Sequence, residues 1–234
     1  MLGGVSAAST SHPVARTVLD RLEPCFRASA DPSRAVAMRA YMRDQFPFLG
    51  LPAPQQTAVA RTVLAGLGRP GEEDLRTVAL ACWQLPEREF QYFACGYLRR
   101  YQAVCSPSFV AVVRQLLVEK SWWDTVDTLA AHVVGPLVLR SPELVSTMDS
   151  WLSGDNLWLT RTAILHQLAY KGRTDASLLF RYCTLRKDHP DFFIRKAIGW
   201  ALREYAKTAP SDVRSFVART ELSGLSRREA LKNL

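Results

Sequence analysis

Metal-binding spacing is missing from this sequence. Its four histidines (His12, His132, His166 and His189) form neither an HExxH pair nor a Cys/His cluster, which excludes the usual catalytic zinc sites. His132 and His166 read as ordinary polar groups on helix faces. The five cysteines (Cys25, Cys82, Cys95, Cys105 and Cys183) are scattered, odd in number and without CxxC spacing, so they read as reduced thiols rather than a disulfide framework. There is no glycine-rich phosphate loop, since GRPGEED is a turn, and no GxSxG nucleophile elbow. Nothing here calls for a cofactor. No apolar run approaches the length of a membrane span. The opening MLGGVSAASTSH has neither the basic nor the apolar region of a signal peptide. These absences lead to the expectation of a cytoplasmic protein. No alternating strand pattern of any length occurs, which leaves an all-α class.

Acid is the scarcer charge. With 30 Lys+Arg against 22 Asp+Glu the net charge is +8, and such an excess points to an anionic partner, nucleic acid first. Apolar residues make up 48% of the chain, enough at this length to bury a core without staples. The helical period recurs over 13–28, 33–46, 54–67, 72–85, 88–102, 107–119, 122–133, 141–153, 156–171, 174–186, 191–208 and 211–220. Breakers such as ADPS, VVGP, SGDN and KDHPD separate these segments. Residues 1–12 are expected to be disordered and 13–220 to form one helical-repeat domain. The basic, polar tail within 221–234 extends the last helix or frays, and carries no assigned role. Short connections favour antiparallel neighbours. Trp122, Trp158 and Trp200 recur in alternate helices at separations of about 36 and 42 residues, near the period of HEAT-like pairs. The expected architecture is a HEAT-like α-solenoid with one concave face for an extended partner.

Three helices carry candidate chemistry. In SWWDTVD, Ser121 and Asp124 have capping-box spacing, while Trp122, Val126, Leu129 and Val133 make a core stripe. Trp123 and Asp127 remain as an i, i+4 pair on the other face. The helix DFFIRKAIGWALREYAK carries Lys196, Trp200, Arg203 and Lys207 in 4-3-4 spacing, a cationic stripe with one large ring, which suits a nucleic-acid platform. In NLWLTRTAILHQLAYK, Arg161 lies close to the apolar line and needs an anion, either Asp127 or a DNA phosphate. Near the N-terminus, Arg39 and Arg43 flank Tyr41.

The blocks SWWDTVDTLAAHVVG, DNLWLTRTAILHQLAYKGRTD and FFIRKAIGWALREYAKTAP closely resemble the AlkD family of bacterial DNA alkylation repair glycosylases. AYMRDQFPFLGLPAP and CWQLPEREFQYFA fit its N-terminal half, and the likeness runs through residues 13–220. The resemblance implies a HEAT-like solenoid that grips double-stranded DNA and removes cationic alkylpurines such as N3-alkyladenine and N7-alkylguanine without flipping the base. A base left stacked sets little size limit, so bulky adducts also come into question. Carried over by position, Asp127 is the catalytic carboxylate, and Trp123 and Trp200 are the rings against the lesion nucleotide. Arg161, Tyr41 and Arg203 face DNA, beside Lys196 and Lys207 of the stripe. The run Leu51-Pro52-Ala53-Pro54 carries no polar side chain where relatives often present one. The protein is expected to act as a monomer. Two alternatives stay open: a catalytically silent DNA-binding or damage-sensing solenoid, and a helical scaffold for a protein partner.

Overall fold

The computed structural model describes residues 13–234; the segment 1–12, expected to be disordered, lies outside the described residues. Among the described residues every regular element is helical. No helix among them is long and apolar enough to cross a membrane. The chain divides into two compact units, one through Tyr97 and one from Leu98 to Leu234.

The first unit holds α1 (Pro13–Ala28), α2 (Pro32–Tyr41), α3 (Ala53–Leu64), α4 (Glu72–Gln84) and most of α5 (Arg88–Tyr101). Val18, Leu22 and Phe26 recur with helical spacing on α1 and are fully buried, which seats α1 on α3 and α4. Asp74 joins two helix starts, because its carboxylate accepts from Ala15 N at 3.0 Å and from Gly71 N at 2.9 Å. Glu89 is fully buried, and its carboxylate accepts from the backbone N–H groups of Leu49, Gly50 and Leu51 at 2.8–3.1 Å. Three such donors offset the cost of burying the charge. They fix the loop between α2 and α3, in which Gly50 has φ +91° and lies against the Asp31 carbonyl. Tyr41 closes α2 and is 73% exposed. The chain leaves it through two left-handed residues, Arg43 and Asp44 (φ 55° and 57°), held by an Arg39–Asp44 ion pair at 2.7 Å.

The second unit continues with α6 (Val110–Val118), α7 (Trp123–Leu129), α8 (Gly135–Arg140), α9 (Val145–Ser153), α10 (Leu157–Leu165), α11 (Ala176–Leu185), α12 (Phe192–Ala206), α13 (Pro210–Arg219) and α14 (Gly224–Ala230). With α7 and α8 counted as one continuous helix, alternate helices stack in series: α7 on α10, α10 on α12, and α12 on α14. Helices α9 and α13 pack on this row from their places between its members in the chain. Such i, i+2 stacking is the habit of helical repeats. Within the unit, α10 is enclosed, with every residue from Leu159 to Gln167 buried.

Two expectations about this unit are corrected. The VVGP stretch does not end a helix. Ala130–Val134 form a π turn that joins α7 to α8, with Gly135 N–H bonded to the carbonyl of Ala130 five residues back. The register change absorbs the donor that Pro136 lacks. Gly135 is required there, because a Cβ would fall 2.2 Å from the carbonyl oxygen of His166; Tyr170 Oη donates to the Gly135 carbonyl at 2.6 Å. Gly135→Ala should therefore lower stability by about 1–3 kcal/mol through overpacking. Gly172→Ala, with open space around it, should not. Thermal melts of the two variants compare them directly. His166 is likewise no ordinary polar group on a helix face: it caps the end of α10 and is 1% exposed, its Nδ1–H donates to the Ala163 carbonyl at 2.7 Å, and burial pushes its pKa down to about 4.

Candidate active site

Two N-caps set the register of the site. Asn156 Oδ1 accepts from Trp158 N at 3.0 Å and Leu159 N at 3.1 Å, starting α10; Asp191 Oδ1 accepts from Phe193 N at 2.6 Å, starting α12. Each cap therefore places an aromatic residue at the second helical position. Trp158 and Phe193 meet there at 5.1 Å between centroids. Trp122, the residue before α7, joins them at 5.8 and 5.3 Å. The repeating aromatic of this row is thus Trp122, Trp158 and Phe193. Trp200 lies two turns further along α12 than the register requires.

The start of α7 also differs from the capping box. Ser121 Oγ donates back to the Leu117 carbonyl at 2.6 Å, and Trp122 takes the N-cap position without a side-chain cap. The last turn of α6 outcompetes the next helix for that hydroxyl. Val126, Leu129 and Val133 are fully buried, as the apolar stripe requires.

Asp127 lies one turn into α7, with its side chain only 12% exposed; Arg161 of α10 is 5% exposed beside it. Of the two anions open to Arg161, the structure shows Asp127. Arg161 Nε meets Oδ1 at 2.7 Å and Nη2 meets Oδ2 at 2.8 Å, a two-pronged pairing. Arg161 Nη1 donates to the Phe193 carbonyl, and the guanidinium lies 5.9 Å from the centre of the Phe193 ring. One guanidinium thus joins α7, α10 and α12. Burial raises the pKa of Asp127, and the two bonds from Arg161 oppose that rise without cancelling it. Each carboxylate oxygen gives one lone pair to Arg161 and keeps another for a water or a ligand.

The remaining candidates divide between the two units. Trp123 opens α7 four residues before Asp127, on the same helix face, and is half-buried, as is Trp200 on α12. The cationic stripe is present on α12, but its charges are compensated. Lys196 and Arg203 both bind Glu229 of α14, at 3.0 and 2.9 Å, and Lys207 pairs with Glu204 at 2.6 Å. Tyr41 belongs to the first unit. No sequence pattern marks Glu229, which lies in the polar tail, or the roles of Phe193 and Glu89.

A helical-repeat protein with a fixed, buried carboxylate–guanidinium pair is the class that fold and site define together. The family model for DNA alkylation repair enzymes matches residues 22–234, and the chain belongs to that family. Among solved structures, one described as a predicted DNA alkylation repair enzyme from Enterococcus faecalis is 33% identical, with a TM-score of 0.81 over 88% of this chain and 96% of its own. The structure of smu.31 from Streptococcus mutans UA159 is 14% identical, with a TM-score of 0.59 over 94% of this chain and 99% of its own, a likeness of fold alone. No curated protein matches the sequence significantly. DNA alkylation repair is the work that the family implies.

Proposed function

We propose that the protein is a monofunctional DNA glycosylase. It hydrolyses the N-glycosidic bond of cationic alkylpurines, N3-alkyladenine and N7-alkylguanine, in duplex DNA while the base stays stacked, and its substrates extend to bulkier adducts of the same charge. The observation that carries this reading is the Asp127 carboxylate, held by the Arg161 fork in a largely buried site. An alkylpurine already bears positive charge, so it departs without general-acid help. As the C1′–N bond breaks, its electron pair goes to the purine and cancels that charge. The deoxyribose is left with oxocarbenium character. A fixed carboxylate stabilises that developing charge, and does so more strongly in a water-poor site than in bulk solvent. Water then bonds to C1′, and its proton passes to Asp127 or to solvent.

The half-buried rings of Trp123 and Trp200 add cation–π attraction to the sugar, worth about 0.5–2 kcal/mol each. The protein acts as a monomer, and Tyr41, Lys196, Arg203 and Lys207 contact the duplex. Arg161 serves first as the holder of Asp127, and any phosphate contact it makes goes through the donors left over. Release of 7-methylguanine from a duplex by the wild-type protein is the test. A protein that binds the duplex and releases no base would instead be a silent DNA-binding member of the family.

The same assignment fixes a pH dependence. The carboxylate is the active form, so base release, corrected for spontaneous loss, should fall as pH drops through the Asp127 pKa. Burial places that limb above the ordinary range for an aspartate. The sign for stability is opposite to that of a usual paired aspartate. A folded-state pKa raised above the unfolded one makes ionisation costly to folding. That cost is absent below the unfolded pKa and complete above the folded one. Single-turnover rates across the acid range check the first statement; a limb at the ordinary aspartate position would contradict it.

A further inference from the structure

Glu229 stands on α14 and reaches back to α12. Its Oε1 lies 3.0 Å from Lys196 Nζ, and its Oε2 accepts from Arg203 Nη1 at 2.9 Å. The backbone positions of these two residues are two helical turns apart, about 10 Å along the axis at 1.5 Å per residue, and their side chains converge on one carboxylate. One carboxylate therefore bridges the two cations that flank Trp200 in the stripe. Gly199 makes the span possible, since a Cβ there would fall 2.4 Å from Glu229 Cβ and 2.9 Å from the Ser226 carbonyl oxygen. Ser226, itself fully buried, fastens α14 by donating from Oγ to the Arg195 carbonyl at 2.9 Å. The hydrogen bond from Lys196 holds the Glu229 carboxyl below the usual carboxylate range, so the group is an anion at neutral pH. Its side chain is 17% exposed, and those of Lys196 and Arg203 are 36% and 23% exposed. The cluster is at the surface but ordered by packing.

A carboxylate that gives one oxygen to each of two cations occupies them as a phosphodiester would with its two non-bridging oxygens. We propose that Glu229 is a built-in stand-in for a DNA phosphate, which occupies Lys196 and Arg203 in the free protein and weakens the grip of α12 on undamaged duplex. This rests on the assignment of Lys196 and Arg203 to the DNA-facing surface. A DNA phosphate must either displace Glu229 or share the cations with it against like-charge repulsion. Either course removes part of the sequence-independent attraction. Contacts at Asp127, which need the lesion, are untouched by it. Glu229 thus lowers the sequence-independent affinity for duplex, and lets the protein leave undamaged sites.

The experiment measures binding of an undamaged duplex as a function of salt. It compares the wild type, Glu229→Gln, the Lys196→Ala/Arg203→Ala pair, and the triple variant, each with its thermal midpoint. Glu229→Gln should bind more tightly. Its log–log salt slope should be steeper by about 0.9 for each further phosphate neutralised, up to about 1.8 for two. Glu143→Gln, which removes an exposed acid elsewhere in the same unit, should keep the wild-type slope. In the background lacking both cations, Glu229→Gln should leave the slope unchanged. If Glu229→Gln melts early, Glu229→Asp, too short to reach both cations, replaces it and should steepen the slope by about half as much. Weaker binding by the cation-less pair, together with an unchanged or shallower slope for the Glu229 variants, would overturn the stand-in role alone. Wild-type binding by the cation-less pair would remove Lys196 and Arg203 from the DNA surface, and the stand-in role with them.

Discussion

Asp127→Asn is expected to lower the rate of base release by about 10²–10³-fold, the usual loss when one fixed electrostatic contact to a developing charge is removed. Duplex affinity should be undiminished, since the substitution removes a negative charge from a surface proposed to meet phosphates. Asparagine keeps the shape of the side chain and one acceptor for Arg161, so the three-helix junction has a partner in the variant. What it lacks is the charge. The effect should therefore appear in the single-turnover rate constant and not in binding, and the acid limb of the pH profile should vanish with it. A comparable loss in affinity would mean that Asp127 shapes the DNA surface instead of acting on the sugar.

Arg161→Ala should be the most damaging substitution for the fold. It leaves the largely buried Asp127 carboxylate without its two charge-assisted bonds, and the Phe193 carbonyl without its Arg161 donor. Removing one partner of a buried pair costs about 3–5 kcal/mol, because an uncompensated charge remains. For a chain of this size that is a fall of roughly 6–20 °C in melting temperature. Asp127 can escape part of this cost by taking up a proton, which would also abolish its proposed role. Arg161→Lys should be intermediate, as an ammonium supplies the charge but not the planar fork. Asp127→Asn/Arg161→Ala should be more stable than Arg161→Ala alone, since no unpaired carboxylate is left. Melts of the four proteins at neutral pH test this ordering. An Arg161→Ala protein as stable as the wild type would show that the pair contributes nothing to the junction.

The helices were legible because their apolar residues keep the 3.6 period, and because caps such as Asn156 and Asp191 are short polar residues directly before apolar runs. The join between α7 and α8 was not. Gly135-Pro136 is a turn signal by local rules. It is overruled by a contact with His166, just past the end of α10 and about thirty residues later, which no local pattern encodes. The tryptophan period was visible, but its third member is not a tryptophan. Ring size singles out Trp200, whereas the register is fixed by position relative to the cap, which selects Phe193. For the site, Asp127 is marked by its i, i+4 pairing with Trp123 off the apolar stripe, and Arg161 by its place close to an apolar line. The sequence left Arg161 two possible anions, and only packing of α7 on α10 chooses between them. Glu229 was invisible because its segment lacks an apolar stripe. The helix there owes its place to Gly199 and Ser226, a close approach and a hydrogen bond, and neither leaves a periodic trace.

A catalytic Asp127 is tested most directly by the release of free 7-methylguanine from a duplex oligonucleotide bearing one such lesion, followed by chromatography under single-turnover conditions. Wild type and Asp127→Asn are compared, with duplex binding measured on the same preparations. Release by the wild type, a loss of about 10²–10³-fold in the variant, and binding by both are the expected results. Equal release by the two proteins would contradict the assignment.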